Sequence, residues 1–463
     1  MANPFAMTGS YPVRTTKDVE FYVDGENAFT AIAQAIENAK SYVYITCAYV
    51  NLNFRLRPPL TEQLQDLCNR VANSGVRVAL LFWQPLKADD KPDLSMAGTV
   101  SEAAQAALAA QAPKIMARWD IAKTAGIYPQ FIGCHHQKTF VIDGQTAFVG
   151  GINMTQDYWD TCAHAPHDDR RVSYDIVDPK DRAERVAAAL PLHDVFARLT
   201  GPAVADVEAN FVERWNGATI RYGADLVPCP PSSDSGHRTQ IQILRTIAPD
   251  AYPHTAAGEK SIKEAVLNLL AAAEQNVYFE NQYFFDDDVV AAIRAAGERG
   301  VRVVGLLARA PDAGQFVGSV ERLLEERSEV MFQWTRFNSI LRRQVQLYSP
   351  MTSGAVTYKD IYVHSKTMIV DDRYVLAGSA NISFTSMDFH SEMCVLIDDA
   401  QHALDLRKRL WSEHLCVPAP ALPEAFDAGA DIWLQYGVRN VTDRGKAPLQ
   451  SRVMPLQLDD DDA

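Results

Sequence analysis

The feature that most constrains this chain is that it repeats itself. The segment "HHQKTFVIDGQTAFVGGIN" (135–153) aligns without a gap on "VHSKTMIVDDRYVLAGSAN" (363–381). His136 falls on His364, Lys138 on Lys366, Asp143 on Asp371 and Asn153 on Asn381, always 228 positions apart. The flanks repeat as well. "AIAQAIENAKSYVYITCAYV" (31–50) and "SIKEAVLNLLAAAEQNVYFENQYF" (261–284) each pattern as an amphipathic helix followed by a strand. "SGVRVALLFW" (74–83) and "RGVRVVGLLA" (299–308) both pattern as buried strands behind a helical stretch.

At 463 residues the chain is too long for one ordinary core, and the repeat divides it near the middle. The Pro/Ser/Asp-rich "VPCPPSSDSGHRT" (227–239) is the expected linker between an N-terminal domain, 1–226, and a C-terminal domain, 240–463, which ends in the acidic tail "LDDDDA". Helices alternating with strands predict an α/β class: two similar α/β/α sandwich domains related by pseudo-twofold symmetry. A site built on the repeated motif belongs where the two domains meet.

Residues two apart on a strand share a face, so His136 projects with Lys138, and His364 with Lys366. Asp143-Gly144 and Asp371-Asp372 are expected hairpin turns, which return Asn153 and Asn381 toward the same end. Each half then offers an imidazole, an ammonium and an amide. That set suits a phosphodiester: lysine neutralises non-bridging oxygens, asparagine donates to them, and histidine can attack phosphorus or donate a proton. Gly150-Gly151 and Gly378-Ser379 are expected to leave backbone N–H groups open to the substrate. Displacement at phosphorus needs a nucleophile and a leaving-group acid, and two halves supply both. His135 should face the other way, in a structural or pocket-wall role. No alternation of histidine and carboxylate suggests a metal site, so the lysines carry the charge and no cofactor is expected.

These residues resemble the paired HxKxxxxD motifs of the phospholipase D superfamily, in "HQKTFVID…GGIN" and "HSKTMIVD…GSAN". The resemblance extends over roughly residues 20 to 440 and takes in "HDVFARLTGPAVADVEANFVERWN" (193–216) and "VYFENQYF" (277–284). It implies that His136 forms a covalent phospho-histidine and that His364 protonates the leaving alcohol and later activates water. It implies phosphoryl contacts from Lys138, Lys366, Asn153 and Asn381, with Gly151 and Ser379 beside them, and a structural role for Asp143 and Asp371. It further implies that Asp194 holds the histidine of the first half and Glu392 that of the second, with Asp388 as a nearby competitor. Gly151 stands where the family commonly has serine, which removes one hydroxyl donor.

Net charge is −14, unfavourable for wrapping a nucleic acid, so no nucleic-acid partner is expected and a nuclease of the same superfamily is disfavoured. A cardiolipin synthase-like phosphatidyltransferase is the stronger alternative. A non-catalytic lipid-binding module fits poorly with two complete motifs. The favoured expectation is a phospholipase D that cleaves glycerophospholipids to phosphatidic acid and a headgroup alcohol, or transfers the phosphatidyl group. No apolar run suggests a membrane span, and the start "MANPFAMTGSYPV" does not look like a signal peptide. The expected location is cytoplasmic, or outside the cell through a specialised route. The expected partners are the phospholipid and, transiently, a bilayer surface, touched by Tyr158-Trp159 or by Trp334 and Phe337 with Arg336, Arg342 and Arg343. Seven cysteines without a CxxC pair point to free thiols. With both motifs in one chain, a monomer suffices.

Overall fold

The computed structural model describes residues 3–16, 18–84, 115–122, 133–221, 223–232, 239–252, 255–308, 345–353 and 358–456. The first half builds strands β1 (Asp18–Val23), β2 (Tyr42–Cys47), β3 (Arg77–Trp83), β4 (Ile115–Asp120), β5 (Thr139–Ile142), β6 (Thr146–Gly150) and β7 (Val195–Thr200). The second builds β8 (Thr239–Ile247), β9 (Asn276–Asn281), β10 (Arg302–Leu307), β11 (Val345–Ser353), β12 (Thr367–Val370), β13 (Tyr374–Gly378) and β14 (Glu392–Asp398). The spatial orders are β4-β3-β2-β5-β6-β7-β1 and β11-β10-β9-β12-β13-β14-β8. These are one order used twice, so the chain is an α/β protein with two sheets of equivalent topology.

The strand interiors are apolar because both faces of each sheet are covered. Helices Gly25–Glu37 and Leu64–Asn73 pack on the outer face of the first sheet, where Phe29, Ile32, Leu67 and Val71 meet Val43, Ile45, Val78 and Leu80. Helices Ser261–Ala272 and Asp287–Glu298 do the same for the second. The inner faces share one core. Helices Val204–Gly217, Ala400–Leu415 and Phe426–Asp443 contribute Phe211, Trp215, Trp411 and Trp433 to it, alongside Tyr44 and Tyr278. Sheet touches sheet where β6 and β7 meet β13 and β14.

The motif aspartates lock each sheet. Asp143 takes a left-handed φ of 55° at the β5–β6 turn, and Asp371 one of 54° at the β12–β13 turn. Asp143 accepts from the N–H groups of Lys40, Ser41 and Tyr42 at 2.7–2.8 Å, and Asp371 from those of Glu274, Gln275 and Asn276 at 2.7–2.9 Å. Each carboxylate thus fixes the entry of the central strand beside its motif.

Two expectations need adjusting. The segment Arg14–Thr16, within the stretch assigned to the first domain, pairs antiparallel with β8 of the second. His136 and Lys138 lie in extended chain just before β5, and His364 and Lys366 just before β12, so the motif side chains stand at strand mouths. They still share a direction, because extended chain alternates as a strand does. The described cysteines are all free.

Candidate active site

The two lead-in segments are bound across the seam, each to the other half. His136 N–H donates to the Ser391 carbonyl at 2.8 Å, and Ser391 N–H to the Cys134 carbonyl at 2.9 Å. Symmetrically, His364 N–H donates to the His193 carbonyl at 2.8 Å, and Tyr362–Val363 pairs in parallel with Leu192–His193. The residue after Ser391 is Glu392, and the residue after His193 is Asp194. The carboxylates therefore cross. His136 Nδ1 lies 3.0 Å from both Glu392 oxygens, and His364 Nδ1 lies 2.6 Å from Asp194 Oδ2. This corrects the expectation that each half keeps its own acid: the seam pairing hands each carboxylate to the opposite histidine. Asp388 serves neither ring and pairs with Lys260 at 2.7 Å.

With each Nδ1 occupied, each Nε2 is left for chemistry. The imidazole centroids are 6.5 Å apart and tilted by 58°, a gap that suits one tetrahedral phosphate. Lys138 Nζ donates to the His136 carbonyl at 2.6 Å. Lys366 Nζ donates to Gln282 Oε1 at 3.1 Å and to the His364 carbonyl. Asn153 and Asn381 are buried beside them. Asn153 Oδ1 accepts from Tyr49 N–H at 3.2 Å, and Asn381 Oδ1 has no hydrogen-bond partner.

Gly151 and Ser379 do not present themselves to a substrate. Gly150 and Gly378 donate to the Lys138 and Lys366 carbonyls, Gly151 N–H to Val195 and Ser379 N–H to Met393. The expected open N–H groups are spent on the sheets. Ser379 Oγ instead donates to Glu392 at 2.5 Å, and Ser386 Oγ does so at 2.8 Å. At Gly151 a Cβ would come within 2.4 Å of Asp194 Oδ1. Serine braces one carboxylate; glycine makes room for the other.

Burial dominates the electrostatics. It pushes the His136 pKa down, with Glu392 opposing, and the His364 pKa well down, with Lys366, Lys138 and His136 adding to the effect. Burial lowers Lys138 too, and lowers Lys366 to about 7. It raises Asp194 to about 7, with Lys366 opposing. Glu392 is also buried, but His136 and Lys138 outweigh that cost and hold it below the usual range. Both imidazoles are thus neutral in the free site, and Glu392 is ionised. The Asp194–His364 pair holds a proton up to near-neutral pH.

Tyr158, Trp159 and His390 take places here that the sequence did not indicate. Tyr158 Oη lies 3.1 Å from His364 Nε2, and the two rings are perpendicular. Trp159 is fully buried with the Arg170 guanidinium over it at 4.4 Å. The pair expected to touch a bilayer is therefore divided between pocket and core. Trp334, Phe337, Arg336, Arg342 and Arg343 lie outside the described residues. The His390 ring centroid is 6.4 Å from that of His136, and burial lowers its pKa to about 4. His135 is structural, 2.7 Å from Ser391 Oγ and 3.2 Å from Asp120.

Behind Asp194 lies a cluster that no local motif announces. The donor atoms of Asp24, His164, His193 and Glu413 fall within 4.8 Å of one another, as do those of His193, Glu280 and His414. A metal ion could use such donors, yet most of them already pair with one another, Asp24 Oδ2 and His414 Nδ1 being left without a hydrogen-bond partner. His193 faces Glu413 at 2.8 Å and Asp24 at 3.1 Å through Nδ1, and Glu280 at 3.0 Å through Nε2. His164 faces Asp160 at 3.1 Å and Glu413 at 3.0 Å. Despite burial, these carboxylates raise His164 to about 9 and His193 well above its ordinary value. His164 facing Glu413 and His193 facing Glu280 thus tie the halves together beneath the site.

Comparison with known proteins bears on the family and the fold. A family model described as "Phospholipase D" matches residues 35–289, and one described as "Cardiolipin synthase, PLD-like domain" matches residues 266–413. Phospholipase D A of Dictyostelium discoideum is 29% identical over 88% of this chain, and phospholipase D alpha 2 of Oryza sativa subsp. japonica is 25% identical over 77%. The chain spans 36% and 58% of the length of those two relatives. The crystal structure of phosphatidylserine synthase from Haemophilus influenzae Rd KW20 superposes with a TM-score of 0.58 at 17% identity, covering 87% of each chain, and shows the same fold. With its first model matching more than half of the sequence, the chain belongs to the phospholipase D family.

Proposed function

We propose that the protein is a phosphodiesterase that cleaves glycerophospholipids to phosphatidic acid and a headgroup alcohol. The observation that carries this reading is the crossed pair of imidazoles, each oriented by a carboxylate, facing one another above two lysines.

The chemistry follows from which nitrogens are free. His136 Nε2 bonds to phosphorus as the bond from phosphorus to the headgroup oxygen breaks, and the proton held by the Asp194–His364 pair passes through His364 Nε2 to that oxygen. Water then enters. Its proton goes to His364, its oxygen bonds to phosphorus, and the bond to His136 breaks, restoring both rings. An alcohol in place of water gives transfer. Ionised Glu392 stabilises the positive charge that forms on His136, as a carboxylate does for other catalytic imidazoles. Lys138, Lys366, Asn153 and Asn381 hold the non-bridging oxygens. The bound phosphate also favours the charged forms of the lysines and of His364, so substrate itself readies the acid. Among the described residues no helix is long and apolar enough to cross a membrane. A glycerophospholipid substrate is met at a bilayer surface.

The test is a panel. Vesicles of phosphatidylcholine, phosphatidylethanolamine or phosphatidylglycerol, and single-stranded DNA, are offered to the protein and to His136→Ala. Headgroup release and an acid-labile phosphatidyl–protein adduct are expected from the wild type. The variant should lose both, by several orders of magnitude. DNA cleavage without headgroup release would replace the lipid reading with a nuclease.

A further inference from the structure

Asp194 occupies His364 Nδ1, so every proton that His364 exchanges with a substrate passes through Nε2. In the substrate-free site that atom already has an oxygen on it, the Tyr158 hydroxyl at 3.1 Å. The two rings are perpendicular, with centroids 4.9 Å apart. The position is not an accident of a loose side chain. Tyr158 ends the short 3-10 turn Gln156–Tyr158, and the next residue, Trp159, is fully buried under Arg170.

We propose that Tyr158 is a further catalytic residue: its hydroxyl holds, in the resting site, the seat of the alcohol or water oxygen that trades a proton with His364. When that oxygen arrives, the phenol steps aside by about one hydrogen-bond length and bonds it. This rests on His364 being the acid and base of the reaction above. A phenol suits the task because its one hydroxyl both donates and accepts. It accepts from Nε2–H while the Asp194–His364 pair holds its proton and donates to bare Nε2 once that proton is spent, and it can donate to the entering or leaving oxygen during turnover. Burial keeps it protonated, with Asp157, Tyr362 and Asp194 adding to that effect.

Removing the hydroxyl has consequences that a mere packing role lacks. The hydroxyl bonds Nε2 in either protonation state, and the bond it accepts from a protonated ring is the stronger, so Tyr158→Phe should lower the apparent pKa of His364. The other groups facing that ring are unchanged by the substitution: Asp194, His136, Lys366, Lys138 and the Tyr362 ring. An NMR titration of the histidines in the full chain, with His364→Asn for assignment, reads this without any substrate. It therefore stands or falls separately from the lipid assignment.

Turnover supplies the second arm. With phosphatidylcholine, Tyr158→Phe should lower kcat about tenfold with KM little changed, the effect of one well-placed hydrogen bond. It should also alter the partition between water and added ethanol. With phosphatidyl-p-nitrophenol, whose leaving group needs no proton, the first-step burst should keep its wild-type rate. An unshifted His364 titration would overturn the proposal. So would a burst slowed as much as choline release, since that would mark Tyr158 as packing alone.

Discussion

The two halves share strand order, motif, turn aspartate and seam pairing, yet their carboxylates are kept differently. Glu392 receives two hydroxyl donors, Ser379 and Ser386, and stays ionised beside His136. Asp194 accepts the Val195 N–H at 2.7 Å, packs against Gly151 and titrates near 7 beside His364. A single scaffold therefore yields one dyad suited to attack and one suited to carrying a proton. The difference comes from what surrounds each acid more than from the histidines, which are chemically the same. Gly151 looks like a lost hydroxyl in the sequence. In three dimensions it is the space that the second acid requires.

The comparison can be broken most directly at the acids. Glu392→Gln and Asp194→Asn should each cost about 10²–10⁴ in kcat, the range seen when a catalytic histidine loses its carboxylate. They should fail at different steps. Asp194→Asn should retain a rapid-quench burst with phosphatidyl-p-nitrophenol, because only the proton is missing, and Glu392→Gln should show none. Equal bursts would mean the two dyads are interchangeable. A subtler exchange makes each half resemble the other. Gly151→Ser drives a side chain into Asp194 and should cost roughly a hundredfold, as a displaced catalytic group does. Ser379→Gly removes one of two hydroxyls from Glu392 and should cost about tenfold. The reverse ranking in kcat would show that bracing matters more than space.

The smallest effect is in pH. His136 must be neutral, so kcat/KM should fall as pH drops through its pKa, which burial places below the ordinary 6.5. The Asp194–His364 pair must hold its proton and Lys366 its charge, so kcat/KM should also fall as pH rises through about 7. Asp194→Asn should remove its share of the alkaline limb and leave the acid limb in place.

Much of this was legible in the sequence, for a physical reason. A strand buried on both faces has no use for His136 and Lys138, and their recurrence at His364 and Lys366 marks them as shared chemistry. The helix–strand pairs at 31–50 and 261–284 were visible because periodicity is local. The hidden part depends on pairing between distant segments. Nothing near residue 194 says that it will face residue 364, because that follows from Tyr362–Val363 lying beside Leu192–His193. The buried cluster of Asp24, His164, His193, Glu280, Glu413 and His414 was hidden for the same cause, being drawn from five stretches of chain. Tyr158 and Trp159 show the finer limit. They are adjacent and both aromatic, and only the turn between Gln156 and Tyr158 sends one to the site and the other to the core.

The crossing of the carboxylates bears on how such a molecule can exist at all. Neither repeat owns a working dyad: cut between them, each fragment would keep an imidazole without its acid and an acid without its imidazole. Competence belongs to the union and to nothing smaller. Covalent fusion makes that union permanent at any dilution, and it frees the twin copies to specialise, one as attacker and one as porter of protons.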